Sequence, residues 1–258
     1  MFKFGENWAS FSKQLDETKI LEAMQSLTSL FGHEALKGKD FLDIGCGSGL
    51  FSIAALRLGA QAVTGIDVDP VSVQVSNENA RRWLPDAGSI SFRQVSVLDG
   101  SKMQILGKFD VVYSWGVLHH TGNMTRALAN AAQAVKPDGL LMVAIYNRHW
   151  SSAGWKAIKW SYNRLGPRVQ NLFIWLLAPF IFLAKWLVTL KNPLKMGRGM
   201  DFMHNVIDWV GGYPYEYATV EEMAEKLRAV GFETQFVRKA RVPTGCNEFV
   251  CREIRSNI

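Results

Sequence analysis

Cysteine is scarce: Cys46, Cys246 and Cys251 are the three in 258 residues, and no two stand in C-x-x-C spacing. An odd, scattered set excludes a disulfide framework and a cysteine zinc site, and suits a reducing compartment. The segment from Met1 to Trp8 lacks the apolar core of a secretory leader, so a cytoplasmic location is expected. Internal repeats and low-complexity tracts are missing as well, which removes solenoid arrays. Acidic residues vanish locally, with no Asp or Glu between Arg148 and Arg198. No cluster calls for a metal. What is present is a globular composition, 48% apolar and 20% charged, in a chain long enough for one domain plus an elaboration.

Helical periodicity places helices near 17–31, 50–58, 70–82 and 123–135, and β-branched apolar runs place strands near 40–44, 62–67, 90–96, 109–114 and 139–146. Such alternation predicts an α/β fold with a mainly parallel sheet. It stops after Asn147 and resumes at Thr219-Val220-Glu221-Glu222, a capping box. That helix ends near Gly231, and 232–237 and 247–251 read as a closing hairpin.

The segment Phe41-Leu42-Asp43-Ile44-Gly45-Cys46-Gly47-Ser48-Gly49 carries an apolar strand into a glycine loop. Without Cβ atoms, Gly45, Gly47 and Gly49 allow a tight turn that brings backbone N–H groups against a ligand at the next helix start. The strand from Ala62 to Ile66 then delivers Asp67, 22 residues after Gly45. That is close to the ~20-residue spacing of a carboxylate that holds ribose hydroxyls. The loop reads G-x-G-x-G, not the G-x-G-x-x-G of dinucleotide enzymes.

Asp43-Ile44-Gly45-Cys46-Gly47 resembles the first motif of class I S-adenosylmethionine-dependent methyltransferases, and the resemblance recurs along the chain. It implies S-adenosyl-L-methionine as cofactor, with Asp43, Gly45, Cys46, Gly47 and Gly49 in the first motif. Asp67 looks like the family's ribose-binding acid and Val68 like the residue that packs on adenine. Gln94 to Asp99 looks like the adenine-edge motif; Ser96 stands where many members carry Asp, with Val97 beside it and Asp99 as a substitute acid. Phe109 to His120, including Trp115, is similar to the fourth strand and following loop of ubiquinone/menaquinone-biosynthesis methyltransferases, and Val135 to Leu141 to the turn into the fifth strand. The resemblance covers 39–147 and returns near the C-terminus. It implies a doubly wound, mainly parallel seven-stranded Rossmann-like sheet whose last strand is antiparallel, with a helical cap inserted after strand 5.

On this reading 1–38 is an N-terminal helical segment, where Asn7, Trp8 and Phe11 make a flap. Residues 39–147 are the cofactor-binding core, 148–217 the basic, apolar insert, and 218–258 the closing helix and strands. From Arg148 to Arg198 there are nine Lys or Arg (148, 156, 159, 164, 168, 185, 191, 195, 198), so with +6 on the chain the remainder carries −3. The same insert holds the apolar run from Leu172 to Leu190, interrupted by Pro179 and Lys185. A span needs ~20 apolar residues with few charges, so a buried cap or a homodimer contact through 172–190 is expected, with attachment to a membrane surface as the other reading. Trp150, Trp155, Trp160, Trp175 and Trp186 are expected to fill the insert's core.

Methyl transfer is an in-line displacement helped by holding two reactants together, and a base is required only where the acceptor loses a proton. His119 and His120 follow the fourth strand, at the end that opens onto the ligand crevice, and an imidazole titrates near neutral pH. They are the candidate catalytic pair. Tyr146 and Asn147 end the fifth strand on the same rim, and His204, Asp208, Tyr213 and Tyr215 lie where the insert returns to the core; Tyr146, Asn147, His204, Tyr213 and Tyr215 are the candidate acceptor contacts. The expected acceptor is a small apolar or aromatic molecule that can be anionic. A nucleic-acid acceptor is the rival for the basic surface, but Ser114-Trp115-Gly116-Val117 replaces the Pro-Pro-Tyr type of motif and no RNA-binding module is appended. A non-catalytic cofactor-binding protein is the third reading.

Overall fold

The computed structural model describes residues 4–85, 88–194 and 198–254. Lys195, one of the nine basic residues of the insert, lies outside the described residues. The seven strands are β1 Asp40–Ile44, β2 Ala62–Asp67, β3 Ile90–Gln94, β4 Phe109–Trp115, β5 Val135–Tyr146, β6 Phe232–Arg238 and β7 Cys246–Glu253. They form one sheet in the order β3-β2-β1-β4-β5-β7-β6, in which β7 runs antiparallel to both neighbours and the other adjacent pairs are parallel.

Central strands covered on both faces read as continuous apolar runs, and their alternate residues part to opposite sides. Leu42, Ile44, Val112, Leu141 and Val143 join one core with α6 (Met124–Gln133) and α10 (Val220–Ala229). Phe41, Val111, Met142 and Ala144 join the other with α2 (Glu17–Phe31) and α3 (Leu50–Arg57). The fifth strand begins at Val135, earlier than the sequence pattern suggests, because Asp138 at φ 61° and a register shift opposite Phe109 and Val111 absorb the turn within the strand. The helix expected near 70–82 is α4 Pro70–Trp83, and two short helices escaped the periodicity, α1 Phe4–Ser12 and α5 Gly100–Leu106.

Between β5 and α10 lie α7 Ser152–Tyr162, α8 Pro167–Thr189 and α9 Phe202–Gly211, which share a small core of Tyr162, Ile174, Ala178, Phe202, Val206 and Val210. Here two expectations fail. Pro179 does not end α8, which runs through it for 23 residues. Nor is α8 a buried cap, since Ile174 and Ala178 are its two buried residues. Leu172, Trp175, Leu176, Phe180, Leu183 and Leu187 recur at helical spacing and are exposed, Trp175 by 73% and Phe180 by 71%. Of the tryptophans expected to fill the insert, Trp150, Trp160, Trp175 and Trp186 are exposed, whereas Trp155 packs edge-on against Trp209 at 4.2 Å.

The capping box forms as read: Thr219 Oγ1 accepts from the Glu222 N–H at 3.1 Å and Glu222 accepts from the Thr219 N–H at 2.8 Å. Thr219→Ala is expected to lower stability by about 0.5–2 kcal/mol, measured as a shift of the denaturant midpoint.

Candidate functional site

A cavity of about 640 Å³ opens at the carboxyl ends of β1, β2 and β4, with α1 and α9 forming further walls. That size suits a small-molecule site. The loop after β1 is tied down by β2. Gly45 and Cys46 donate their N–H groups to the Ile66 carbonyl at 2.7 and 3.0 Å, and Gly47 donates to Asp67 Oδ2 at 3.1 Å. These three donors are therefore spent on the fold and are not the bare N–H groups that the sequence suggested. Gly45 (φ 75°) and Gly47 (φ 56°) occupy the left-handed region that disfavours side chains. A Cβ on Gly45 would strike Val117, and one on Gly47 would come within 2.8 Å of the Trp8 ring. The glycines thus admit close neighbours, Val117 from the β4 loop and Trp8 from α1.

Asp43, Gly45, Cys46, Asp67, Val68, Ser96, Val97 and Trp115 all line the cavity; Gly47 and Gly49 lie in the loop beneath it. Asp67 accepts from the N–H groups of Gly47 and Asp69, yet burial dominates and raises its pKa. Asp43 accepts from the Ser52 hydroxyl at 2.7 Å, and burial, opposed by that bond, pushes it up to about 7. Asp99 is not part of this wall. Its carboxylate caps α5, accepting from the Ser101 hydroxyl at 2.6 Å and the Lys102 N–H at 3.1 Å. The flap reading meets a definite geometry: Phe4 and Trp8 of α1 line the cavity, Phe11 is core, and Asn7 donates to Asp208 Oδ1 at 2.7 Å and to the His204 carbonyl at 3.1 Å.

The far end of the cavity is bounded by His120, Thr121, Tyr146, Asn205, Asp208 and Trp209. His120 Nδ1 lies 2.7 Å from the Pro214 carbonyl, which fixes the tautomer with Nδ1–H donating and Nε2 as the acceptor. Burial, aided by the Lys159 charge, pushes His120 down to about 3. The expectation of an imidazole titrating near neutrality is thereby corrected. His119 is fully buried, does not line the cavity, and packs edge-on against His120 and tilted against Tyr146, with ring centroids 4.4 and 4.1 Å away; burial holds it well below the ordinary imidazole range.

Four expected acceptor contacts also sit outside the cavity wall. Asn147 donates to the Pro243 carbonyl and accepts from Asn247, bracing β5 against the β6–β7 connection. His204 pairs with Asp201, the N-cap of α9, at 2.8 Å. Tyr215 is buried against Tyr146, and Tyr213 precedes Pro214 in a cis peptide behind His120.

The wall also contains residues that motif reading passed over. Arg198 stacks its guanidinium 3.9 Å from the Trp115 ring and 4.6 Å from Phe51, and donates to Tyr113, Glu248 and Ser26 at 2.8, 3.2 and 3.2 Å. The Trp115 indole N–H donates to the same Glu248 carboxylate at 2.8 Å. In sequence Arg198 was one of nine cations with nothing to set it apart. Asp208 and Trp209 were part of a polar-aromatic return segment that carried no pattern pointing inward.

Residues 15–174 match the family model of a methyltransferase domain. The ubiquinone biosynthesis O-methyltransferase of Xanthomonas campestris pv. campestris (strain B100) is 34% identical over 167 residues, 64% of this chain and 67% of that protein. The enzyme of the same name from Agrobacterium fabrum is 33% identical over 179 residues, 67% of this chain and 63% of that one. Among solved structures, magnesium protoporphyrin IX methyltransferase from Synechocystis PCC 6803 with bound S-adenosylhomocysteine superposes with a TM-score of 0.58 at 16% identity, covering 96% of this chain and 94% of that one. The 1,6-didemethyltoxoflavin-N1-methyltransferase of Burkholderia thailandensis gives 0.53 at 19% identity over 93% and 80%. With its glycine loop, its acid at the end of β2 and its family match over most of its length, the chain belongs to the methyltransferase-domain family and is an S-adenosylmethionine-dependent methyltransferase.

Proposed function

We propose that the acceptor is a small aromatic or apolar molecule methylated on a hydroxyl oxygen, and that the enzyme collects it at a membrane surface. The observation that carries the first part is the far end of the cavity, where Tyr146 and Trp209 offer ring faces and His120 and Asp208 offer polar atoms. The hydroxyl reading draws on relatives named as O-methyltransferases of ubiquinone biosynthesis. When bound, the cofactor supplies a methyl group on a positively charged sulfur. The residues present fit it: Asp67 is the candidate for the ribose hydroxyls, Val68, Ser96 and Val97 for the adenine, and Trp8 for the wall over the glycine loop. A cationic amino group beside Asp43 would favour its carboxylate form against burial.

Asp67→Ala is expected to weaken S-adenosylmethionine binding by roughly 1.5–3 kcal/mol per lost charged hydrogen bond, read by calorimetry, with the fold retained. Unchanged affinity removes Asp67 from the cofactor's contacts. Gly47→Val should be more damaging, because the new side chain displaces Trp8 and strains a left-handed backbone.

The surface part rests on α8, which by length and composition is able to cross a bilayer but here lies with 11% of its apolar window buried. Its exposed stripe of Leu172, Trp175, Leu176, Phe180, Leu183 and Leu187 is accompanied by Arg164, Arg168, Lys185 and Lys191, with no acid in the segment. An apolar face with basic company suits an anionic lipid surface, where the helix lies in the interface. The protein should co-sediment with phosphatidylserine-containing vesicles at low salt. It should be released as the Debye length falls to ~8 Å, and Trp175→Ser with Phe180→Ser should weaken retention at every salt concentration. Absence of vesicle binding at low salt, with a dimer that the same pair of changes dissociates, assigns the stripe to a second copy instead.

A further inference from the structure

Lys159, on α7, is fully buried, and its ammonium makes no hydrogen bond among the described residues. It stands over three rings instead: Tyr215 at 4.7 Å, Trp209 at 4.8 Å and Tyr146 at 5.6 Å. An ammonium taken out of water is costly, and ring faces return part of that cost. A leucine or methionine would fill the same space without the penalty. Two of the three rings, Tyr146 and Trp209, also face the acceptor end of the cavity, where the Asp208 carboxylate is held by Asn7.

Resting on the hydroxyl-acceptor reading, we propose that Asp208 accepts the acceptor's hydroxyl proton and that Lys159, behind the aromatic wall, is the positioning residue whose charge favours ionised Asp208 and the developing oxyanion. The acceptor O–H bond breaks with its proton going to Asp208. The O–CH3 bond forms as the S–CH3 bond breaks, and that electron pair stays on sulfur, which loses its positive charge.

The surroundings support this division of labour. Burial pushes Asp208 up to about 7, opposed by the Asn7 amide and the Lys159 charge. Burial brings Lys159 down to about 7, opposed by Cys246 and Asp208. The groups facing the pair are Asn7 from α1, His119 and His120 after β4, Tyr146 from β5, Tyr215, and Cys246 from β7. The two imidazoles are held neutral, so their titration falls below that of the pair. A carboxylate poised near neutrality is a better match for a base working there than an imidazole at about 3.

The test uses the full chain saturated with S-adenosylhomocysteine. Carbon-13 NMR follows the Asp208 carboxyl and the Lys159 side chain through pH in the wild type, Lys159→Met, Lys159→Arg and Asp208→Asn. Removing the cation should move the Asp208 midpoint up, by about one unit for each tenfold of coupling, and Lys159→Arg should restore it. Asp208→Asn should move the Lys159 midpoint down. Either midpoint unmoved overturns the pairing. In parallel, with 4-nitrocatechol as the methyl acceptor, Asp208→Asn should lower kcat by about 10²–10⁴-fold while S-adenosylmethionine affinity holds. Lys159→Met should move the acidic limb of the kcat/KM profile to higher pH. Wild-type kcat and limb in Asp208→Asn, with the loss appearing in His120→Gln, overturns the proposal and gives the proton to His120. A wild type that binds S-adenosylhomocysteine but does not methylate 4-nitrocatechol overturns the hydroxyl-acceptor reading, and the pair is then decided by the NMR midpoints.

Discussion

The Ile66 carbonyl, at the end of β2, accepts from both Gly45 and Cys46, and the geometry of the cofactor end follows from that pair of hydrogen bonds. It pulls the loop after β1 across the neighbouring strand, which forces Gly45 into a left-handed turn and sets Gly47 beside the Asp67 carboxylate. Asp67 is then braced by backbone on both oxygens. Preorganised acceptors of this kind need little rearrangement on binding. The same turn opens room for Val117 and Trp8, so the β4 loop and α1 close on the site only because two residues have no side chain.

Two guanidinium or ammonium groups lie on aromatic faces near the cavity, and they differ in company. Arg198 has Glu248 and the Tyr113 hydroxyl to satisfy its donors, and Glu248 is also held by Trp115 and Arg238. A planar cation with five donors in such a network is a satisfied structural element as well as a wall of the site. Among the described residues the Lys159 ammonium has ring faces and no hydrogen bond. With no carboxylate hydrogen-bonded to it among the described residues, the field of Lys159 is less offset than that of Arg198, which Glu248 largely cancels.

What could be read from sequence was what is encoded locally. The strands β1 and β2, the glycine loop, Asp67 and the Thr219 capping box each depend on residues within a few positions of one another, and the seven-stranded, mainly parallel sheet with its antiparallel last strand followed from the family resemblance. Asp99 misled because a carboxylate immediately before a short helix serves equally well as a cap, and only its aim tells the two apart. The insert misled for a different reason. An all-round apolar helix is compatible with burial and with a surface, and the choice is made by how much protein is available to cover it; α9 and α7 cover one side of α8 and no more. The roles of Arg198 and Lys159 were illegible because both come from a run of similar cations and are singled out only by which rings the fold puts beneath them.

The Asn7 amide bonds to Asp208 across 201 residues of chain. Closing a loop of that length costs conformational entropy, though the cost grows slowly with length. The helix that carries Asn7, α1, is also held nearer in the chain, where Gly5 donates to Asp69, the N-cap of α4, and Ser12 to Asn79 on α4, so the Asn7 bond ties a helix already seated on the core to the insert. Trp8 at the glycine loop and Asp208 at the far end of the cavity thus hang on one short helix, and a change that shifts either end is carried to the other.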